Sequence, residues 1–209
     1  MGGLQESKDV KNEIRAYAEN KIYRSNPMGM EYSTHLPSDF ITQHVTELLP
    51  EWPVPVRSVL IVMQHCPVPL VERNADTEDY KRQLRQQFIE FGHQIAGRLH
   101  TLGHRTEIFD PKTGQPLLSQ PGSMTLNDVA VVQAVLGYPL FQTEEGCWIL
   151  EHPRWGTAVF PAVLMSSAEP GVVDAIATQI THPVLASADD RDWHIVPLSP
   201  SADHGYQTL

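Results

Sequence analysis

The pentapeptide Val59-Leu60-Ile61-Val62-Met63 offers no polar position to either side of a strand. Side chains alternate between the two faces of a strand, so an apolar run without alternation needs cover on both. Residues 57–64 therefore read as a central strand. The other strong pattern is a long helix from Asp76 or Thr77 to about Leu102, with Gly103 as its stop. Tyr80, Leu84, Phe88, Phe91, Ile95 and Leu99 recur along one stripe of it. Lys81, Arg82, Arg85 and Arg98 fall mostly off that stripe, as a solvated basic face that would also suit an acidic partner.

Shorter elements fill the gaps. Ser38 caps a helix through Leu49, which Pro50, Pro53 and Pro55 stop. Residues 104–109 read as a second strand, ended by the turn Asp110-Pro111-Lys112-Thr113-Gly114 with Gly114 at positive φ. Thr125-Leu126-Asn127-Asp128 resembles a capping box for a helix to Leu136, and Gly137 with Pro139 closes it. Residues 146–164 read as a hairpin, two strands around a turn at 153–157, and Pro170 opens a last helix carrying Val173 and Ile176. The expected layout is one α+β domain over 38–181. An irregular, flexible N-terminal arm at 1–37 precedes it, with a short helix across 12–23, and a flexible tail at 182–209 follows.

Bulk properties narrow the partners. A net charge of −10 over 209 residues lacks the concentrated Lys and Arg that nucleic acid or an anionic membrane surface demands. The apolar runs are too short to span a bilayer, and the first residues lack the form of a secretory signal or a mitochondrial presequence. Cys66 and Cys147 are the two cysteines, without a Cys-x-x-Cys spacing, which fits a reducing, cytoplasmic compartment.

Cys147 is the leading candidate for chemistry. A thiolate is a nucleophile and a metal ligand, and Gly146 beside it leaves the backbone bare for a bulky group to approach. The plainer alternative is a small buried hydrophobe. Glu144, Glu145 and Glu151 would hold the thiol protonated, while His152 and Arg154 would offset them if they face the sulfur. His93, His100 and His104 carry no metal-ligand spacing, and no Gly-rich phosphate loop is present.

Several pieces taken in order carry a resemblance: Leu49-Pro50-Glu51, Ile108-Phe109-Asp110-Pro111 with Thr113-Gly114, Gly146-Cys147, Trp155-Gly156-Thr157, and Ala168 to Pro170. Together, from Phe40 to about Ile176, they resemble the cobalamin-trafficking family known as methylmalonic aciduria and homocystinuria type D protein (CblD). The resemblance implies a nitroreductase-type α+β sandwich, with a mainly antiparallel sheet packed by helices, that has lost its flavin. It implies no catalytic activity. It implies docking on a CblC-type cobalamin processor, with cobalamin bound jointly and passed towards methionine synthase or methylmalonyl-CoA mutase. Cys147 matches the family cysteine that gives sulfur to cobalt, with Gly146 allowing close approach. Trp155, Gly156 and Thr157 match a structural turn. Some members carry a second cysteine where this chain has Trp148. Two other readings stand beside this one: a flavin- or thiol-dependent oxidoreductase, the latter with Cys66 as resolving thiol, and a protein-interaction module.

Overall fold

The computed structural model describes residues 24–25, 29–143 and 146–182. In chain order they form β1 (Arg24–Ser25), β2 (Met30–His35), α1 (Asp39–Leu48), β3 (Ser58–His65), α2 (Ala75–Thr101), β4 (Thr106–Ile108), α3 (Asp128–Leu136), β5 (Leu140–Gln142), β6 (Trp148–Leu150), β7 (Val159–Ser166) and α4 (Pro170–Thr181). Five strands make one antiparallel sheet in the order β1-β2-β3-β7-β4, and β5 pairs with β6 in a small separate ribbon.

β3 is the middle strand, and its apolar run meets two different cores. Val59, Ile61 and Met63 pack with Ile41 and Leu48 of α1 and Val131, Val132 and Leu136 of α3. Leu60 and Val62 pack with Phe88, Phe91, Ile95 and Leu99 of α2 and Val173, Ile176 and Ala177 of α4. The sheet is thus the middle of three layers in an α+β fold, which is why β3 needs no polar side.

Helix starts follow local chemistry. The Ser38 hydroxyl accepts from the Ile41 N–H, as expected. The long helix begins slightly earlier than the pattern suggests: Asn74 accepts from the Thr77 N–H at 3.0 Å, and Thr77 Oγ1 returns the contact to the Asn74 N–H. That reciprocal cap satisfies two amides the helix leaves open. α3 is capped by Asn127 and closed by Gly137 at φ +73°, and Pro170 stands in the first turn of α4.

Two expectations change. The arm assigned to 1–37 contains β2, which pairs with β3 from Met30↔Gln64 to His35↔Val59 and is a full member of the sheet. Its polar residues are buried because their partners lie far along the chain: Glu31 meets His152 and Arg154, and the Tyr32 hydroxyl meets Thr178 and Thr181. The hairpin assigned to 146–164 is divided between two sheets. β6 pairs back with β5, while β7 enters the main sheet between β3 and β4, because its apolar side chains fill both cores there. The short helix expected across 12–23 and the tail from 183 onward lie outside the described residues.

Gly114 does what the turn asks of it, at φ +69°. A Cβ there would also lie 2.2 Å from the Leu126 carbonyl oxygen, so the turn after β4 is pressed against the backbone leading into α3. Gly114→Ala is expected to cost about 2 kcal/mol or more from the left-handed backbone and the clash together. Urea unfolding of the variant checks this, and a midpoint equal to wild type would refute the packing described.

Candidate functional site

Cys147 is exposed, in the turn between β5 and β6. The Thr143 N–H donates to the Cys147 carbonyl at 2.8 Å, the Cys147 N–H donates to the Thr143 hydroxyl at 3.1 Å, and the Gly146 N–H donates to the Thr143 carbonyl at 2.9 Å. Gly146 lies at φ +83°, which L side chains rarely adopt, and only Gln142 Nε2, 3.8 Å away, would stand near an added Cβ. The turn thus requires glycine for its backbone, and the space around it is open. Cys66 is its opposite: buried, with desolvation pushing the thiol up against the pull of the Val68 amide and the Lys81 charge.

His152 and Arg154 are committed elsewhere. Arg154 is ion-paired with the buried Glu31, whose other oxygen lies 3.3 Å from His152 Nε2. His152 Nδ1 accepts from the N–H groups of Arg154 and Trp155, both at 3.2 Å, so that nitrogen carries no proton, while Nε2 lies beside the carboxylate without a hydrogen bond to it. The expected compensation of the acidic residues around the thiol therefore does not come from this pair. Trp155 stacks on the His152 ring with centroids 4.3 Å apart, and Gly156 exchanges two 2.8 Å backbone hydrogen bonds with His152. The Thr157 carbonyl accepts from the Leu70 N–H at 3.0 Å. Trp155, Gly156 and Thr157 thus form a tight turn joining β6 to β7 and fix the 66–71 loop beside it.

Cys147 and Trp148 stand on the wall of an open cleft of about 1000 Å³. One wall is α2 with Glu78, Lys81, Arg82 and Arg85; the loop residues 111–114 and 125–127 and the start of α3 form another. Ile149, Leu150, Val159, Phe160 and Pro161 supply the apolar side. Of the basic residues read from the sequence as a solvated face, Lys81, Arg82 and Arg85 therefore look onto the same space as the thiol, while Arg98 meets Gln179 instead. Their spacing put them on one helix face, but nothing local joined that face to residue 147.

Charge in the cleft is organised around two aspartates. Arg85 holds Asp110 through Nε at 2.6 Å and a terminal nitrogen at 2.9 Å, and the Lys112 N–H and Thr113 hydroxyl donate to the same carboxylate. Burial works to raise the Asp110 pKa, but these hydrogen bonds and the Arg85 charge outweigh it and hold the carboxyl below its ordinary value. Asp128 is the reverse. It is 7% exposed, neither carboxyl oxygen has a hydrogen-bond partner among the described residues, and burial followed by the Asp110 charge pushes its pKa well up. A buried carboxyl without a partner beside a cleft is one signature of a binding site. His93, His100 and His104 do not converge, and no group of three potential metal ligands comes together among the described residues.

A family model described as methylmalonic aciduria and homocystinuria type D protein matches residues 3–178. The chain belongs to that family. The match reaches well before Phe40, in keeping with β2 being part of the sheet, and type D membership supports a cobalamin-related function. No curated protein matches the chain. Among solved structures it is similar to an epoxyqueuosine reductase crystallised with an epoxyqueuosine-modified tRNA-Tyr stem loop, at 14% identity and a TM-score of 0.24. That likeness covers 78% of this chain and 48% of the other, so the chain spans about half the length of that structure. No described helix of this type D family member is long and apolar enough to cross a membrane.

The Asp128 shift has a sign that can be measured. A carboxyl whose folded pKa is raised leaves stability intact below its unfolded value, about 4, and loses it as pH climbs towards the folded value. Asp128→Asn removes that loss. Urea midpoints should show the variant gaining stability over wild type at pH 7 and little at pH 4; an equal effect at both pH values would mean that Asp128 ionises normally.

Proposed function

We propose that this protein is a cytoplasmic cobalamin carrier, not a catalyst, that docks on a CblC-type processor and gives the Cys147 thiolate to cobalt. Cobalamin is held jointly with the processor, without flavin, and passes on towards methionine synthase or methylmalonyl-CoA mutase. One observation carries the reading: in a type D chain, Cys147 is exposed and lines a cleft of about 1000 Å³.

The chemistry suits the geometry. A thiolate is a soft donor for a late transition metal; on binding, sulfur would replace the ligand or water in the cobalt's axial position, and the thiol proton would leave to solvent. The open space at Gly146 supports close approach of a corrin ring. Trp148, 56% exposed next to the thiol, offers a flat apolar surface against the macrocycle. Two free thiols suit a reducing compartment. The flavin-free nitroreductase-type sandwich belongs to the same proposal, supported by an antiparallel sheet with helices on both faces.

Mixing the protein with a cobalamin-loaded processor should change the visible spectrum as sulfur takes an axial position. Cys147→Ala abolishes the change, and Cys66→Ala keeps it because that thiol is buried and held protonated. An unaltered spectral response from Cys147→Ala would sink the proposal, and loss of the response with Cys66→Ala alone would favour a thiol-exchange enzyme.

A further inference from the structure

Two strand edges open onto the cleft. After the His152↔Gly156 bridge β6 and β7 part, and each joins a different sheet. Residues 147–150 and 159–161 all line the space between them. Successive side chains of a strand point to opposite faces, so consecutive residues that line one cavity present it with the strand's edge. On β6, the Cys147 carbonyl accepts from the Thr143 N–H and the Glu151 N–H donates to the Pro139 carbonyl, so the odd-numbered residues bond towards β5. The peptide groups of Trp148 and Leu150 point the other way. On β7, the Ala158 carbonyl accepts from the Cys66 N–H, whereas the Val163 carbonyl accepts from the Phe109 N–H on the β4 side. Even-numbered residues of β7 thus serve β3, and odd-numbered ones turn outward. β4 pairs only as far as Ile108↔Leu164, which leaves Val159 and Pro161 beyond its end. Among the described residues nothing bonds to the outward N–H and C=O groups of Trp148, Leu150 and Val159 or to the outward Pro161 C=O. Leu150 and Val159 are only 2% and 3% exposed, and backbone groups covered to that degree ordinarily have partners.

We propose that Trp193-His194-Ile195-Val196 of this chain docks in the cleft as an extended strand, bonded to β6 on one side and to β7 on the other, and so joins the two sheets. The stretch lies outside the described residues and beyond the family match, which ends at 178. Trp, Ile and Val are strand formers. Pro197 closes the run, as it must, because a strand bonded on both sides has no place for proline inside it. Residues 1–23 hold no comparable run, and they lead into β1 at the far edge of the sheet from the cleft. The reach is sufficient. α4 ends over β2, where Thr181 Oγ1 lies 3.1 Å from the Tyr32 hydroxyl. Tyr32, Val62 and Ala162 are cross-strand neighbours in turn, so that end stands two strand spacings, about 10 Å, across the sheet from β7. Residues 183–192, fully extended, span about 35 Å, which leaves length to pass around α2.

Neither cobalt nor a processor enters the inference, so it stands or falls apart from the Cys147 reading. Amide hydrogen exchange followed by NMR on the full chain tests it. In wild type the Trp148, Leu150 and Val159 amides are expected to exchange slowly, with Overhauser contacts from residues 193–196 to both strands. Ile195→Pro takes a donor from the middle of the docked strand and is expected to speed all three amides by about tenfold or more. The Leu60 and Val62 amides at the sheet centre should keep their rates in the variant, which shows the body intact. Free exchange of the three amides in wild type overturns the proposal. Slow exchange that Ile195→Pro leaves unchanged overturns it as well, since the body itself would then cover the two edges. Contacts from 193–196 to one strand alone would remove the bridge between the sheets and with it the proposal. Protection that fades on dilution assigns the strand to a second copy of the chain and rules out docking within one molecule.

Discussion

The antiparallel pairing of β3 with β7 is the interaction on which everything else hangs. The two strands match over eight residues, from Ser58↔Ser166 to His65↔Val159, with hydrocarbon on both sides. Their backbone amides and carbonyls therefore have no access to water and depend on each other. A one-residue slip would send Val59, Ile61 and Met63 into the α2–α4 core and Leu60 and Val62 into the α1–α3 core, with no fit for either set. Register at the sheet centre is thus fixed by two independent packings, and the ends of β7 inherit it. One end leads back through the Trp155 turn to β6 and the thiol, and the other leads through Ser166 to the start of α4.

Around that dry centre, three buried polar groups attach the irregular parts. Glu31 on β2 takes Arg154 and His152 and so ties the sheet to the turn between β6 and β7. Glu107 on β4 accepts from the Leu117 and Leu118 amides at 2.9 and 2.7 Å and from the Ser119 hydroxyl at 2.7 Å, which pins the loop after it. Asp110 receives Arg85 of α2. Each carboxylate is buried with several donors on it, the condition under which burying a charge is tolerable. Of the three, Asp110 acts on the cleft itself, because its partners Arg85, Lys112 and Thr113 all line it, so that wall is positioned by a long-range polar contact as well as by regular structure.

That division explains which parts the sequence declares. β3, α2, the Ser38 cap, Gly114 and Pro170 act through neighbours along the chain, so their patterns are legible locally. β2 is not, because Met30-Glu31-Tyr32-Ser33 mixes apolar and polar residues on a short strand, and the partners of Glu31 and of the Tyr32 hydroxyl stand more than a hundred residues away. The 146–164 segment misleads for a similar reason: a short strand, a glycine turn and a long strand imply a hairpin, and only the competition for β3 shows that β7 belongs elsewhere. Cys147 is legible as a candidate through its glycine and the resemblance carried by Gly146-Cys147, whereas the arrival of Lys81, Arg82 and Arg85 at the same cleft depends on how α2 crosses the sheet.

The placement of the thiol follows from the same economy. A cysteine on β3 or β7 would sit between two hydrocarbon layers, where burial keeps the proton on sulfur, as Cys66 at the exit of β3 illustrates. A cysteine on a long flexible loop would be reachable but would have no fixed direction. The β5–β6 turn lies between these limits. Its backbone is closed by three hydrogen bonds through Thr143, while Ile149 and Leu150 anchor its second strand in the body. Sulfur is thereby held outside the core at a defined position, next to an exposed tryptophan and on the wall of the cleft. For the proposed role, in which the thiol is offered to a metal carried by another protein, fixed direction lowers the ordering cost of the encounter, and exposure lets it occur without unfolding.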